Sequence, residues 1–351
     1  MRCLLILCIA AAAIPTHAAS FDCAKASTPQ ERTICASPRL SDLDSQMAAA
    51  YRVLLDAIPT ELRGQVRNDQ RDWLRATYLY CGYGTQFISL ESCLFDAFSH
   101  RTGELKTMFV KHGGVAFLWH SVHFVHADTG SLAENDRSRG VPAVTTLDAF
   151  WPQALSSDPA WQAWNRAIEA QARNMASQGL AKPGDPWNNE KWINGTDNDV
   201  IVSVDTVSPT FVATSLQNSW YGHGAAHPNT ESFHFNWSLT AARELRADDI
   251  FRPGSAWKQL LYDRAMQSLK TQLGPGYPDD QWAPGFMEKI LHKLVESPSN
   301  WILDSRSLSV DFPPDSVSCH ACATDPIQIP WSDLRSDLQP AFNPSVYFRA
   351  E

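Results

Sequence analysis

The stretch SWYGHGAAHPN, Ser219–Asn229, brings two histidines four residues apart into a segment rich in glycine and alanine. Three kinds of chemistry fit it: zinc ligation by His223 and His227, a hairpin turn whose histidine bonds its own backbone, or a rigid loop that recognises a partner. An H-x-x-x-H pair aligns two imidazoles on a helix, which the surrounding glycines and proline disfavour. We therefore expect no metal here. The candidate partner-binding residues are Trp220, Tyr221, His223 and His227.

A second group of histidines lies in WHSVHFVHAD, at His120, His123 and His126. A helix would align all three, whereas a strand would put His120 and His126 on one face and His123 on the other. The apolar residues between them favour a strand, which weakens the case for a metal site. We interpret them as strand histidines at a domain junction.

Motifs of common enzyme classes are missing: there is no nucleophile elbow, phosphate loop or H-E-x-x-H sequence. The acidic pairs Asp248–Asp249 and Asp279–Asp280 are the only hint of a glycosidase dyad, and such a dyad needs two carboxyls across a cleft. Thirteen tryptophans keep stacking on carbohydrate as an alternative. The sequence thus predicts a protein without catalytic activity and without a cofactor.

The first 18 residues read as a secretory signal peptide, with Arg2 ahead of an apolar run and small residues before a cut after Ala18. No later segment approaches the ~20 apolar residues of a membrane helix. We expect an exported, periplasmic protein that has no membrane span.

Six cysteines remain after that cut, an even number that is typical of disulfides in an exported chain. Their spacing favours three local pairs. These are Cys23 with Cys35, Cys81 with Cys93, and Cys319 with Cys322. For the last pair, a redox-active C-x-x-C and half of a zinc site remain alternatives.

Charge is divided unevenly along the chain, which has a formal net charge of −9. Residues 19–112 contain 11 basic and 11 acidic side chains, whereas residues 113–351 contain 17 and 27. A negative field disfavours nucleic acid and favours basic partners, with association that weakens as salt rises. Solubility alone would also explain such acidity.

The periodicity changes near residue 112. Residues 41–58, 61–81 and 89–110 repeat apolar side chains at helical spacing, and Ser41 with Asp44 looks like a capping box that opens the first helix. Beyond this part, Val200, Val202 and Val204 alternate as in a strand, and predicted strands flank Tyr221–Asn229. Helices are predicted at 160–178, 255–273 and 284–296, and strands close the sequence. The fold class is α+β: a disulfide-stapled helical hairpin or bundle at 19–112, then an antiparallel sheet packed with helices at 113–351.

The N-terminal part resembles the LprI-type lysozyme inhibitors, through its four cysteines around a Q-x-x-W-L helix. The residues that carry this resemblance are Cys23, Lys25, Ala26, Glu31, Cys35, Leu40, Leu43, Asp44, Tyr51, Gln70, Trp73, Leu74, Cys81, Cys93, Leu94 and Arg101. The resemblance covers about a quarter of the chain and implies a small disulfide-stapled helical module.

The C-terminal part resembles the extracellular domain of RsiV-type anti-sigma factors, a domain that also occurs in some peptidoglycan deacetylases. The residues that carry this resemblance are Gly224, Ala225, Ala226, His227, Asp249, Ile250, Phe251, Phe312, Pro314, Ile329, Pro330 and Trp331. RsiV binds lysozyme as a signal, so both resemblances imply a lysozyme partner.

Together these features predict a periplasmic protein that binds or inhibits lysozyme or another basic cell-wall hydrolase. In this hypothesis the acidic C-terminal part attracts the hydrolase and the Trp220–His227 loop docks into its cleft. The alternative is a module that binds or modifies peptidoglycan.

Overall fold

The computed structural model describes residues 19–83, 88–180, 184–187, 193–279, 285–319, 322 and 324–348. The predicted signal peptide, residues 1–18, lies outside these ranges. The described residues form three apolar cores: one within the N-terminal helices, one between a large sheet and a helix, and one in the C-terminal part. No helix in the described ranges is both long enough and apolar enough to cross a membrane.

The N-terminal part, here the helical unit, contains four α-helices. They are α1 (Pro29–Ala36), α2 (Pro38–Ala57), α3 (Arg63–Gly82) and α4 (Leu90–Thr107). Three helices were predicted, so α1 is an addition. Thr28 and Glu31 form its capping box, and the backbone hydrogen bonds that Glu31 accepts lower the pKa of its carboxyl to about 2.

The predicted start of the first long helix was wrong. Ser37 caps α2, with Pro38 in its first turn, and Ser41 lies inside the helix, where its Oγ donates to the carbonyl of Ile34. Proline suits the first helical turn because it lacks an N–H that would have no acceptor there. The short α1 therefore ends and α2 begins within two residues, a break that apolar spacing does not reveal.

Two disulfides close the helical unit. Cys23–Cys35 ties the segment before α1 to its last turn, and Cys81–Cys93 ties the end of α3 to the start of α4. Both predicted pairs are confirmed. The core between the helices is built around Trp73 and Phe98, whose ring centroids lie 5.7 Å apart. Small helical units gain much of their stability from such cross-links because their cores are small.

The middle of the chain forms a seven-stranded sheet in the order β1 to β7. Its strands are β1 (Phe109–His112), β2 (Val115–Ala127), β3 (Val144–Ala154), β4 (Thr196–Val207), β5 (Phe211–Gly222), β6 (Asn229–Ser238) and β7 (Arg243–Glu244). Helix α5 (Gly130–Arg139) joins β2 to β3, and α6 (Pro159–Ala176) lies between β3 and β4. All neighbouring strands are antiparallel except β3 and β4. That pair is parallel, which requires a crossover connection such as the one that contains α6.

The two faces of this sheet differ. Val200 and Val202 of β4 are buried in the core that includes α6, whereas Asp199, Ile201 and Ser203 point the other way and are exposed. Successive side chains of a strand alternate between faces, so one strand supplies both a core and an outer surface.

The C-terminal part packs helices on a second, three-stranded sheet. Its elements are α7 (Ala247–Ile250), α8 (Trp257–Leu273), α9 (Phe286–Glu296), β8 (Trp301–Leu303), β9 (Ser307–Val310), β10 (Ile327–Pro330), α10 (Trp331–Leu334) and α11 (Pro344–Tyr347). Trp301 is fully buried with its ring edge-on to Phe251 and Trp257. This part is joined to the large sheet by Asn236, whose side-chain amide donates to the carbonyls of Pro298 and Trp301.

The helical unit packs on strand β2. The buried guanidinium of Arg101 donates to Asp69 of α3, and Ser121 of β2 donates to the same carboxylate. Strand β1 directly follows α4 and pairs with β2, so the predicted division between residues 112 and 113 falls inside this hairpin. The α+β class is confirmed, with one parallel strand pair in an otherwise antiparallel sheet.

Candidate functional site

The segment from Ser219 to Asn229 forms the end of the β5–β6 hairpin, as predicted from the flanking strands. Gly224 has φ +91°, a backbone conformation that favours glycine. The backbone N–H of His223 donates to the carbonyl of Gly195, 2.7 Å away, which holds the base of the loop against the start of β4. The loop is thus anchored at its base.

The side chain of His223 is buried, with 3% exposure, between carboxylates from other elements. Its Nδ1 lies 2.8 Å from Asp136 Oδ2 on α5 and 3.9 Å from Asp128 Oδ2, just after β2. Its Nε2 lies 3.4 Å from Asp197 Oδ2 on β4. Hydrogen bonds with Asp197 and then Asp136 raise the pKa of the imidazole to about 9, against the opposing effect of burial.

The four predicted partner-binding residues therefore occupy different environments. His223 anchors the loop from within, whereas residues 224–229 are exposed. His227 is in this exposed part, and its Nδ1 lies 2.9 Å from the carbonyl oxygen of Pro228. The hydroxyl of Tyr221 donates to the carbonyl of Ala225, and Trp220 is half-buried with its indole Nε1 enclosed. Trp220, Tyr221 and His227 remain predicted contact residues, while His223 is positioned to hold the loop.

An acidic surface adjoins this loop on the side of the sheet away from α6. Asp148 of β3 and Asp199 of β4 are direct neighbours across the parallel pair, and Asp197 precedes them on β4. Asp205, near the end of β4, accepts a hydrogen bond from Ser215 of β5. We call the surface of Asp148, Asp197, Asp199 and Asp205 the acidic face. Ile201, 49% exposed, lies between them on the same face.

Two carboxyls of the acidic face, those of Asp199 and Asp205, have raised pKa values. Partial desolvation, then the charges of Asp148 and Asp197, raises the pKa of Asp199 to about 6. Desolvation also raises the pKa of Asp205. Desolvation is the largest cause of the raised pKa of the Tyr80 phenol, at the end of α3, and the charges of Asp197, Asp148 and Asp199 add to it. The helical unit therefore borders the acidic face.

The three histidines of β2 lie on a strand, as predicted. Both ring nitrogens of His120 lie within 2.9 Å of the Gln65 amide nitrogen of α3, and burial lowers the pKa of His120 to about 4. His123 has a 3% exposed side chain with Nδ1 2.6 Å from Asp148 Oδ1 and Nε2 3.7 Å from Asp69 Oδ1. These two histidines lie at the contact between the helical unit and the sheet.

One group in the described residues brings three metal-ligating side chains together: Asp128, Asp136 and His223. The sequence considered His223 only with His227, because Asp136 lies 87 residues before it. Cys319 and Cys322 form a disulfide, which is the third pair predicted from the cysteine spacing.

The acidic face was also not predicted from the sequence, although the alternation of residues along β4 contained a signal for it. Alternation that puts Val200, Val202 and Val204 on one side of β4 puts Asp197 and Asp199 on the other. Asp148 could not be found this way because its position beside Asp199 depends on the β3–β4 pairing.

The solved structures to which this chain is similar include two proteins of the DUF3298 family. One from Bacteroides fragilis is 14% identical with a TM-score of 0.43, over 68% of this chain and 98% of its own. One from Pseudomonas aeruginosa is 15% identical with a TM-score of 0.42, over 63% of this chain and 94% of its own. No curated protein matches the chain. Residues 23–105, which form most of the helical unit, match the family model described as lysozyme inhibitor LprI.

Proposed function

We propose that this protein is an exported binding protein that captures and inhibits a lysozyme or a related basic cell-wall hydrolase. One observation carries the proposal: the segment that matches the lysozyme inhibitor family borders the acidic face, since His123 lies 3.7 Å from Asp69 of α3 and 2.6 Å from Asp148. Three disulfides support an extracellular or periplasmic location, because such bonds persist in oxidising compartments.

The acidic face suits a basic partner in both charge and form. Four carboxylates lie on neighbouring strands of the sheet, and Ile201 adds an exposed apolar contact among them. Asp148 and Asp197 also contact buried histidines, so Asp199 and Asp205 are the carboxylates most open to a partner. An interface of this kind gains association rate from charge and specificity from fixed geometry. A lysine or arginine of the partner that reaches Asp199 would also offset the desolvation and the repulsion that now raise the pKa of that carboxyl.

The β5–β6 loop is the second part of the proposed interface. Tyr221 and Asp197 are paired in register, so the loop begins where the acidic face ends. Its exposed residues, His227 among them, project from an anchored base. Because a rigid loop loses little entropy on binding, it is suited to enter a partner's cleft.

In the direct test, purified oxidised protein is titrated into a lysozyme cell-lysis assay at low and high salt, and the same mixtures are studied by calorimetry. We expect stoichiometric inhibition through a complex that weakens as salt rises. Absence of both inhibition and heat with several types of lysozyme would refute the proposal.

Two sets of variants locate the interface. Asp199→Asn with Asp205→Asn removes two charges from the acidic face, whereas Asp56→Asn with Asp263→Asn removes two exposed charges from α2 and α8. The first pair should weaken the complex at least tenfold and the second should not. Replacing Trp220 and Tyr221 with alanine should weaken binding without unfolding, and unchanged binding would remove the loop from the proposal.

The alternative function is binding or modification of peptidoglycan, which the closeness of Asp148 and Asp199 favours. Two neighbouring carboxyls of which one resists ionisation can serve as acid and base in sugar chemistry. Sedimentation with purified peptidoglycan, and release of soluble fragments that Asp148→Asn abolishes, would support this function over hydrolase binding.

We also propose that the sheet and the C-terminal part are related to the extracellular domain of RsiV-type anti-sigma factors. The residues behind this resemblance occupy structurally demanding positions: Gly224 has positive φ, Phe251 and Trp331 are buried, and Pro330 ends β10. A solved complex of this protein with lysozyme would test whether this part of the chain makes the contact.

A further inference from the structure

Three side chains that are far apart in the sequence converge behind the β5–β6 loop. Asp128 follows β2, Asp136 lies on α5, and His223 follows β5. One ligand atom from each lies within 4.8 Å of the others, which is the spacing of ligands around a single metal ion. We call these three residues the DDH cluster.

Both carboxylates of the DDH cluster are fully buried, and each has an oxygen that receives no hydrogen bond from the part of the chain that the structure describes. Asp128 Oδ1 accepts from Thr145 Oγ1 and from the N–H of Gly195, while no described residue donates to its Oδ2, which faces His223 Nδ1 at 3.9 Å. Asp136 Oδ1 likewise has no donor among the described residues. A buried carboxylate oxygen left in this way is costly unless a cation or an ordered water meets it.

The charges around His223 point to a divalent ion. Asp128, Asp136 and Asp197 surround a single imidazole, so even a protonated ring leaves the group with an excess of negative charge. The described residues place no lysine or arginine in an ion pair with these three carboxylates. An ion of charge +2 in place of one proton reduces that excess.

The far side of the imidazole has the arrangement found around metal-ligating histidines. Its Nε2 faces Asp197 Oδ2 at 3.4 Å, so the N–H opposite the DDH cluster points at a carboxylate. Such a partner fixes the ring orientation and strengthens the other nitrogen as a ligand. Thr145 and Gly195 fix Asp128 in the same way.

We propose that the DDH cluster is a binding site for a divalent transition-metal ion, zinc being the best fit. The ligands are His223 Nδ1 and one oxygen each from Asp128 and Asp136, and water takes a fourth position. The ion replaces the proton on Nδ1, which leaves to solvent. Calcium fits less well because it takes 6–8 oxygen ligands, whereas an imidazole with carboxylates suits zinc. The ion joins β2, α5 and the loop base.

The first test uses wild-type protein that has been treated with chelator and then freed of it. Titration with zinc chloride in a calorimeter should show one ion per chain, and the thermal unfolding midpoint should rise by several degrees. Cobalt(II) should give a visible absorption band that zinc abolishes. Failure of the wild-type protein to bind zinc, manganese or calcium ions would overturn the proposal.

Variants then place the ion. Asp136→Asn and His223→Gln should each weaken zinc binding at least tenfold, and either should remove the cobalt band. The control is His123→Gln, because His123 also lies buried between two carboxylates but outside the DDH cluster. Zinc affinity that is equal in wild type and Asp136→Asn, or that is lost in His123→Gln alone, would show that the ion binds elsewhere. This outcome is independent of hydrolase binding, which is measured without added metal.

Discussion

Two charged regions near the contact between the helical unit and the large sheet are built in opposite ways: the ion pairs around Arg101 and the acidic face. In the helical unit, fully buried Arg101 donates to Asp69, Gln70 and Glu104, so its charge is met within the chain. On the acidic face, no described residue hydrogen-bonds or ion-pairs with Asp199, which lies beside two further carboxylates.

The charges around Arg101 stabilise the helical unit, whereas the charge of Asp199 remains available to a partner. A buried ion pair must be satisfied internally, since removal of one member leaves an uncompensated charge in the core. A group of like charges at the surface is tolerated because water and salt screen the repulsion between them, and a bound cation stabilises it.

Replacing Arg101 with methionine should lower the free energy of unfolding by about 3–5 kcal/mol, because Asp69 and Glu104 would remain buried without their cation. Urea unfolding followed by circular dichroism measures this. The matched control is Arg75→Met, whose ion pair with Asp72 is exposed and should contribute at most about 1 kcal/mol. Equal effects at both positions would mean that Arg101 is not a central stabilising residue.

Removing the Cys81–Cys93 disulfide by a double serine substitution should cost about 3 kcal/mol, the chain-entropy value for a loop of this length. The Cys319–Cys322 disulfide closes a much shorter loop, so the same change there should cost only about 2 kcal/mol. Thermal unfolding of the two variants beside the wild type tests the order. A larger loss for the C-terminal pair would contradict the view that the helical unit depends most on its cross-links.

Acid should weaken the contact between the helical unit and the sheet through His120. Its pKa falls from 6.5 in the unfolded chain to about 4 in the folded protein because burial disfavours the charged ring. The unfolded state then binds the proton more readily, so stability falls as pH drops from 6.5 toward 4. This group alone should account for about 3 kcal/mol. His120→Gln should remove that part of the pH dependence, and an unchanged pH profile would argue against burial of the neutral ring.

Asp199 should behave in the opposite way. Its pKa rises from 3.8 to about 6 in the folded protein, so the folded state holds the proton more tightly and stability falls as pH rises through this range. Asp199→Asn should therefore stabilise the protein above pH 6, by up to about 1 kcal/mol once solvent screening is allowed for. The same variant should match the wild type near pH 4.

Asp263→Asn on α8 is the control for this last experiment and should change stability little at either pH, as an exposed substitution. If Asp199→Asn gained stability at pH 7 and lost affinity for a basic hydrolase, it would show that the acidic face sacrifices stability for binding. A loss of stability at pH 7 would contradict the origin of the raised pKa.

Sequence patterns predicted those parts of the fold that depend on neighbours along the chain. The long helices of the helical unit, the Cys81–Cys93 pair and the strands on both sides of the loop all follow from spacing over fewer than about 20 residues. Helix α1 was missed because eight residues give too little periodicity, and apolar spacing does not reveal the break at Ser37 between α1 and α2.

The candidate sites depended on contacts that no spacing contains. His223 was predicted as a contact residue because its loop is exposed, yet its ring turns inward to Asp136 and Asp197. The neighbours Asp148 and Asp199 come together only through the parallel β3–β4 pair, which the sequence did not predict.

Local sequence patterns were enough to predict the α+β class, the excess of acidic charge after residue 112, the local disulfides and the position of the loop between two strands. The folded chain was needed to see which carboxylates share a face, which histidine is buried and where the DDH cluster lies. The physical reason is that helix periodicity, strand alternation and short-loop cross-links act between near neighbours in the chain, whereas desolvation and charge pairing act through space between segments that only the folded backbone brings together.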